Sequence, residues 1–254
     1  MKERKRAIEK QELITREVRK IRRSHSRMGG KKLYEKLGDR IRELAPEMGR
    51  DKFFDLLREK DLLVKRRRKY VVTTQSFKRF FAFKDHYNGK QWTRPNQAWV
   101  SDITYVRVAN GFQYLFLITD AYSRKIVGWE LANSLETKWA IKALKKALTE
   151  CRNPEGLIHH SDRGFQYCNP QYTNILNDNG AQPSMGQAGY CYDNAKAERV
   201  NGILKDEYLL DSHFRTKQQA HRATREAIYL YNNERPHWSI NLKIPGMVHR
   251  LSYT

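Results

Sequence analysis

The first 63 residues have apolar positions at helical spacing. Residues 1–28 read as one basic helix, residues 30–45 as a second, and residues 50–63 as a third. The stripe of the second helix consists of Leu33, Leu37 and Ile41. Helices with basic outer faces over residues 1–63 predict a helix-turn-helix-like DNA-binding region. A small helical packing module is the alternative that this pattern leaves open.

From Trp99 onward the pattern changes to that of β-strands. Runs rich in β-branched and aromatic residues predict strands over 98–108, 112–122 and 125–131, and Asn110-Gly111 is typical of a hairpin turn between the first two. The later predicted elements are a helix over 137–151, a strand over 156–162, a helix over 169–180, a strand over 181–185, and helices over 193–209 and 216–235. This order predicts a mixed α/β fold.

These patterns divide the chain into four parts. The helical region over 1–63 is followed by a basic linker over 64–95. A mixed α/β core is predicted over 96–211, and residues 212–254 supply a helix and tail that complete it. We therefore expect one catalytic or binding core preceded by a smaller all-α module.

Positive charge is concentrated in the first part of the chain. The 254 residues include 49 Lys and Arg against 28 Asp and Glu, a net charge of +21. Residues 1–100 carry 30 basic and 13 acidic residues, whereas residues 101–254 carry 19 and 15. This balance favours a polyanionic partner, either nucleic acid or a membrane surface. It also indicates that the amino-terminal part carries the surface that contacts this partner.

The remaining composition favours a cytoplasmic protein. No apolar run approaches the roughly 20 residues of a membrane span, and the basic first residues do not resemble a secretory signal. Three cysteines without C-x-x-C spacing disfavour a disulfide framework or a zinc finger. We expect no membrane partner.

Basic side chains suggest where DNA is contacted. On the third predicted helix, Arg50 and Lys52 point outward. The linker opens with five consecutive basic residues that can track phosphates. They are Lys65, Arg66, Arg67, Arg68 and Lys69. A solvated charged face is the plainer interpretation of the same run.

Three acidic residues stand out by position. Asp102 lies inside a predicted strand, Asp162 ends another, and Glu198 lies on a predicted helix with 35 residues between it and Asp162. An unpaired buried charge is costly, and α/β proteins place their sites at the carboxyl ends of strands. Oxygen ligands suit Mg²⁺, and two such ions can clamp an in-line displacement at phosphorus. The alternative is three unrelated surface acids.

Other acidic residues have simpler interpretations. Asp120 is expected to cap the turn after its strand together with Ser123. Asp193, at the start of a helix, is expected to be its N-cap. Glu207 is expected to be a solvated helix charge.

Several further residues can contact either DNA or the protein interior. Strand alternation directs one of His159 and His160 inward and the other outward, so either could approach DNA. Arg235 and His237 flank a proline turn that is either a DNA contact or purely structural.

Five stretches carry a resemblance to a known family. They are "NQAWVSDITYV", "DAYSRKIVGW", "HHSDRGFQYCN", "SMGQAGYCYDNAKAERVNGILKDE" and "YNNERPHWSI". With the order Asp102, Asp162, 35 residues and Glu198, they resemble the second-frame (OrfB-type) product of insertion-sequence-three transposases, in the DDE retroviral-integrase superfamily. The resemblance covers roughly residues 95–250 and is looser before them.

This resemblance implies a fold and a site. It implies an RNase H-like α/β core, a mixed five-stranded sheet with flanking helices, over 96–211. It implies that Asp102, Asp162 and Glu198 are catalytic and bind two Mg²⁺ ions, for which Mn²⁺ can substitute. The family's basic residue seven positions after the glutamate matches Lys205, nearly two helical turns further on and thus on the same face. Arg199 and Tyr190 are additional candidate DNA contacts.

The resemblance also implies an activity and partners. It implies a bacterial transposase that cleaves 3′ ends and joins strands by direct transesterification, through a copy-out, paste-in route. Its partners would be the terminal inverted repeats and target DNA, a second copy of the chain, and a first-frame product as fusion or partner. Alternatives are a DNA-binding regulator of element ends, a subunit inactive without its partner, and an RNase H-type nuclease.

Overall fold

The computed structural model describes residues 2–65, 83–186 and 195–251. It divides into two compact units. One comprises residues 1–70 with 206–208, and the other comprises 71–205 with 209–254. Several predicted positions lie outside the described residues: Arg66, Arg67, Arg68, Lys69, Tyr190 and Asp193.

The first unit is helical, as its apolar spacing predicts. Its helices are α1 (Lys2–Ser24), α2 (Gly30–Lys36), α3 (Gly38–Leu44) and α4 (Arg50–Glu59). The single helix expected over residues 30–45 is two, because Leu37 leaves helical geometry with φ −97° and ψ 2° before Gly38 begins the next. The buried core of the unit includes Ile14, Val18, Leu33, Ile41, Phe53 and Leu57.

Residues 206–208 belong to this first unit through side-chain contacts. Lys32 donates from Nζ to Oε1 of Glu207 at 2.5 Å, and the two side chains are only 7% and 15% exposed. Arg27 pairs with Asp206 at 3.3 Å. The interpretation of Glu207 as a solvated charge is therefore wrong, since a side chain distant in sequence covers it.

The second unit contains one five-stranded sheet. Its strands are β1 (Ala98–Val108), β2 (Gly111–Asp120), β3 (Ile126–Ala132), β4 (Ile158–Ser161) and β5 (Gln182–Met185). Their order across the sheet is β3-β2-β1-β4-β5, with the first three antiparallel and β4 and β5 running parallel to β1. The predicted mixed five-stranded sheet is confirmed.

Helices flank this sheet. They are α5 (Thr137–Glu150), α6 (Phe165–Cys168), α7 (Pro170–Asp178), α8 (Ala195–Glu207), α9 (Lys217–Asn233), a 3-10 turn (Trp238–Ile240) and α10 (Pro245–Leu251). The sequence pattern did not predict α6, the 3-10 turn or α10. All three are too short to form without tertiary contacts, so apolar periodicity gives no clear signal for them.

A glycine sets the distance between α5 and the sheet. A Cβ atom at Gly128 of β3 would collide with the carbonyl oxygen of Ala143 and crowd Ala147. Its absence lets the helix backbone approach the strand closely. The buried core between them includes Trp99, Phe116, Ile118, Leu144, Leu157 and Tyr172.

Two further properties concern the described residues. Among them, none of the helices combines the length and apolar character needed to cross a membrane. Cys151 and Cys168 are free thiols, and Cys191 lies outside the described part.

Candidate active site

Strand register brings the first two carboxylates together. β1 and β4 are parallel neighbours, and their pairing places Val100 opposite His160. Asp102 and Asp162 each follow by two residues, so the same register continued places them side by side at the carboxyl end of β4. Two aspartates that are sixty positions apart in sequence therefore lie close together at the carboxyl end of β4. We call this end of the sheet, with Asp102 and Asp162, the carboxylate edge.

Burial raises the pKa of both carboxyl groups, and neighbouring acids raise that of Asp102 further. The pKa of Asp102 is raised to about 7, first by burial and then by the charges of Asp162 and Glu198. Hydrogen bonds from the Ile103 backbone and the Asn201 side chain oppose this rise. The pKa of Asp162 is also raised by burial, against a hydrogen bond from the Gly164 backbone. Two acids that resist ionisation together form a site suited to a cation.

Glu198 reaches this pair from α8 but remains exposed. It lies close enough to raise the pKa of Asp102. Within the described ranges, no three His, Cys, Asp or Glu side chains are gathered closely enough to hold a metal ion as they stand. The sheet therefore brings two carboxylates together. The third, Glu198 on α8, lies near them but is not gathered with them into one group.

The donor set fits a hard divalent cation. Asp102 and Asp162 offer carboxylate oxygens near one another, and a divalent ion between them would remove the repulsion that helps to raise the pKa of Asp102. These two residues, joined by Glu198, are the side chains that would hold magnesium.

Asn201 is a site residue that the sequence pattern did not indicate. Its Nδ2 donates to Oδ2 of Asp102 at 2.6 Å, while the Ile103 backbone donates to Oδ1 at 2.9 Å. Asn201 lies three residues after Glu198 on α8 and is buried. The i, i+3 spacing from Glu198 could have suggested it, since such positions share a helix face.

Lys205 lies on the same face one turn further along α8. It is half-buried, and its pKa is lowered by burial and by Arg107. Asp102 and Asp211 act in the opposite direction, which places the ammonium group within electrostatic reach of the carboxylate edge. Glu198, Asn201 and Lys205 therefore line one side of the helix at intervals of three and four residues.

Behind the carboxylates, two histidines are buried in the sheet. His159 is 2% exposed, and its Nε2 contacts Ser101 Oγ at 2.7 Å and Tyr172 Oη at 2.9 Å. His160 is fully buried, with Nδ1 at 3.0 Å from Ser184 Oγ. The expectation that one of them approaches DNA is wrong, because β4 lies between two strands with both of its faces covered.

Asp120 is a structural carboxylate, as expected. It is fully buried, and it accepts hydrogen bonds from the backbone of Asn96, Tyr122 and Ser123 and from Ser123 Oγ, at 2.7–3.2 Å. Ser123 Oγ also contacts Nδ1 of His249 at 3.0 Å. The predicted cap of this turn with Ser123 is confirmed.

The remaining candidate DNA contacts have different surroundings. Arg50, Lys52, Lys65 and Arg199 are exposed. Arg50 pairs with Asp51 at 3.1 Å, and Lys65 pairs with Asp61 at 3.4 Å. These exposed pairs contribute little to stability and leave the cations available to a polyanion.

The proline turn near the end of the chain lies inside the fold. Arg235 and His237 are 1% and 6% exposed. Of the two interpretations of this turn, the structural one is correct, because neither side chain reaches the surface.

Comparisons with known proteins agree with this geometry. Residues 92–191 match a family model described as "Integrase core domain", and residues 179–245 match a second model of the same description. The chain is 40% identical over 192 residues to "Insertion element IS600 uncharacterized 31 kDa protein" of Shigella sonnei, which covers 75% of this chain and 71% of that protein.

A second relative is "Transposase InsF for insertion sequence IS3A" of Escherichia coli (strain K12). It is 38% identical over 124 residues, which is 49% of this chain and 43% of that protein. The chain spans 48% and 61% of the length of two other curated transposases that it matches.

Among solved structures, the chain is similar to "Structure of the HTLV-2 integrase catalytic core domain in complex with magnesium (trimeric form)". The TM-score is 0.51 at 18% identity, covering 63% of this chain and 100% of that one. At this identity the likeness shows the fold, an RNase H-like integrase core.

Proposed function

Because the chain belongs to the insertion-sequence-three family of DDE transposases, we propose that it cleaves the 3′ ends of an insertion sequence and joins them to target DNA. The observation that supports this most directly is the proximity of Asp102, two residues beyond the β1–β4 pairing, to Asp162, just after β4, and to Glu198 on α8. It would act on DNA in the bacterial cytoplasm, at the nucleoid.

The proposed reaction consists of two displacements at phosphorus. In the first, water attacks a phosphodiester at the element end, the P–O3′ bond breaks, and a 3′-hydroxyl is released. In the second, that hydroxyl attacks a target phosphodiester, a new P–O bond forms, and the target's 3′ oxygen leaves with a proton. No covalent bond to the protein is formed, so the chain contributes positioning and charge.

Each site residue has a defined task in this scheme. Asp102 and Asp162 would hold two magnesium ions, and Glu198 would complete the set when α8 engages DNA. Bound magnesium supplies positive charge at the attacking and leaving oxygens. Asn201 fixes one rotamer of Asp102 through its 2.6 Å hydrogen bond. Lys205 would contact a phosphate on the same side of the helix.

The wider scheme concerns partners. We propose a copy-out, paste-in route with a circular intermediate, carried out by at least a dimer that holds the paired terminal repeats. A first-frame product, fused or separate, would supply further DNA binding.

A second candidate is a subunit or regulator that binds element ends and needs a partner to cut. One observation favours it: within the described residues the three carboxylates are not gathered into a metal site. Assembly of the third ligand would then depend on DNA or on a partner.

A strand-transfer assay separates the two proposals. The purified chain, element-end DNA and Mg²⁺ should give joined product, which Asp102→Asn, Asp162→Asn and Glu198→Gln should each reduce by about 1,000-fold or more. Matched controls are Asp178→Asn and Glu226→Gln, both exposed helix acids remote from the carboxylate edge.

The outcomes distinguish the enzyme from the regulator. Product from the wild type and the controls, with DNA binding kept in all variants, supports the transposase. Binding without cleavage or joining in either Mg²⁺ or Mn²⁺ supports the regulator, and activity that returns on adding a first-frame product supports the partner-dependent subunit.

A further inference from the structure

A basic cleft lies in the second unit, next to the start of α8. Its volume is about 620 Å³. Among the residues that the structure describes, its lining includes four cationic side chains and no Asp or Glu. The cations are Lys90, Arg124, Lys196 and Lys243. These four residues come from four separate segments of the chain, so the cleft could not be predicted from a local sequence motif.

Arg124 is held in the cleft by a strained turn. Its backbone is left-handed, with φ +66°, a conformation that costs a non-glycine residue free energy. Its amide donates to the Asp120 carbonyl at 3.0 Å, and its carbonyl accepts from Tyr231 Oη at 2.9 Å. These two hydrogen bonds therefore fix the backbone position from which the Arg124 side chain enters the cleft.

The guanidinium is only partly satisfied by the protein. Its Nε donates to Ser239 Oγ at 2.9 Å. Its Nη1 is buried and has no hydrogen-bond partner among the described residues. A buried guanidinium nitrogen without an acceptor is costly, and an anionic oxygen in the cleft would satisfy it.

Lys196 faces the same cleft from the first turn of α8. Its Nζ lies 4.8 Å from the centroid of the Tyr87 ring, which in turn stacks on His160 and on Trp92. Lys196 also lies close enough to Arg124 for the two charges to repel. The two cations therefore lie near one another, and none of the described residues that line the cleft is an acid that could pair with them.

We propose that this cleft binds the phosphodiester backbone of a DNA strand as it passes the start of the catalytic helix. The proposal rests on the proposed function, since it assigns a path to the same substrate. Lys196 and Glu198 both lie in the first turn of α8, so a strand bound here would pass within one helical turn of Glu198 along the helix axis. Trp92 and Tyr122 also line the cleft, and aromatic side chains beside cations suit a nucleic-acid strand.

The test measures the salt dependence of DNA binding. The probe is a fluorescently labelled duplex with a single-stranded extension, and the background is Asp102→Asn, so that catalysis plays no part. The main variant is Lys90→Gln with Lys243→Gln, because both lysines are exposed and their loss does not threaten folding. Lys142→Gln with Lys145→Gln, two exposed lysines of α5 outside the cleft, is the matched control.

The expected result is a smaller salt slope for the cleft variant. Loss of two phosphate contacts should reduce the slope of log K against log salt by about 2, and weaken binding about tenfold at physiological salt. Arg124→Gln should reduce the slope by about 1. Equal slopes in the cleft variant and the α5 control would overturn the proposal.

A footprint separates a DNA strand from a free anion. Acylation of lysines, read by mass spectrometry, should be suppressed by DNA at Lys90 and Lys243 but not at Lys142 and Lys145. If inorganic phosphate alone protects the cleft lysines as well as DNA does, the cleft is a small-anion site and the proposal fails. Strand transfer is scored separately in protein with Asp102 intact, so failure here leaves the proposed function standing.

Discussion

Asp102 and Asp120 are carboxylates on neighbouring strands, yet their surroundings are opposite. Asp120 is fully buried with four hydrogen-bond donors around it. Asp102 has two donors and two acidic neighbours. Burial raises the pKa of both groups, but only at Asp102 do like charges add to the effect.

This difference separates a structural acid from a candidate metal ligand. Donors from the backbone compensate for burying a charge and fix a turn in place. Acidic neighbours instead increase the free-energy cost of ionising the carboxyl group. Such clusters are typical of sites at which a positively charged ligand binds. The two sites therefore predict opposite responses to removal of the carboxylate.

The largest expected effect is at Asp120. Asp120→Ala leaves buried donors of Asn96, Tyr122 and Ser123 without an acceptor, and should lower the free energy of unfolding by about 3 kcal/mol. Urea denaturation measures this, with the exposed Asp178→Ala as control. A loss below about 1 kcal/mol would show that the turn does not depend on the carboxylate.

A smaller effect is expected at Asn201. Asn201→Ala frees one oxygen of Asp102 and should weaken Mg²⁺ binding about 10- to 100-fold. The measurement is the Mg²⁺ concentration at the midpoint of thermal stabilisation, and the control is Asn174→Ala on α7, which is exposed. An unchanged midpoint would place Asn201 outside the metal-binding machinery.

The smallest effect has the opposite sign to that at Asp120. Below the ordinary pKa of 3.8, Asp102 is neutral in both the folded and unfolded chain. As pH rises towards the folded pKa of about 7, the unfolded chain ionises first, so stability is lost over that window. At about pH 8 and without metal, Asp102→Asn should therefore stabilise the protein, by about 1–2 kcal/mol after allowance for solvent screening.

Urea denaturation in EDTA at about pH 8 and at about pH 3, below the ordinary pKa of 3.8, checks this sign. The gain should vanish at the lower pH, where both side chains are uncharged. A variant less stable than the wild type at about pH 8 would contradict the idea that Asp102 is held against repulsion.

Long elements and the two strand acids could be predicted from sequence. The strands and the helices α5, α7 and α9 have clear apolar periodicity. Asp102 stood out because a charge inside a β-forming run is unusual, and Asp162 because it ends one. The break at Leu37 was missed because the apolar stripe continues through it.

What could not be predicted depends on contacts between distant segments. Asn201 is an ordinary helix residue until Asp102 is placed against it. The sequence predicts a solvated Glu207, but Lys32 pairs with it. Strand alternation predicts that one of His159 and His160 points outward, but both are buried. The basic cleft combines four segments of the chain. Nη1 of Arg124 is buried there without an acceptor among the described residues, which only the folded arrangement reveals.

The register between β1 and β4 also determines where the chain tolerates a change of length. Asp102 and Asp162 each follow the paired residues Val100 and His160 of β1 and β4 by two positions, whereas the residues between the two aspartates form a hairpin, a third strand and α5. A peptide tag placed at Asn110-Gly111, an exposed turn, lengthens that path and leaves the alignment intact. One residue added between Ala98 and Asp102 would instead turn the carboxylate to the opposite face of the sheet. The number of residues between Asp102 and Asp162 can therefore vary, whereas the position of Asp102 in the side-chain alternation of β1 cannot.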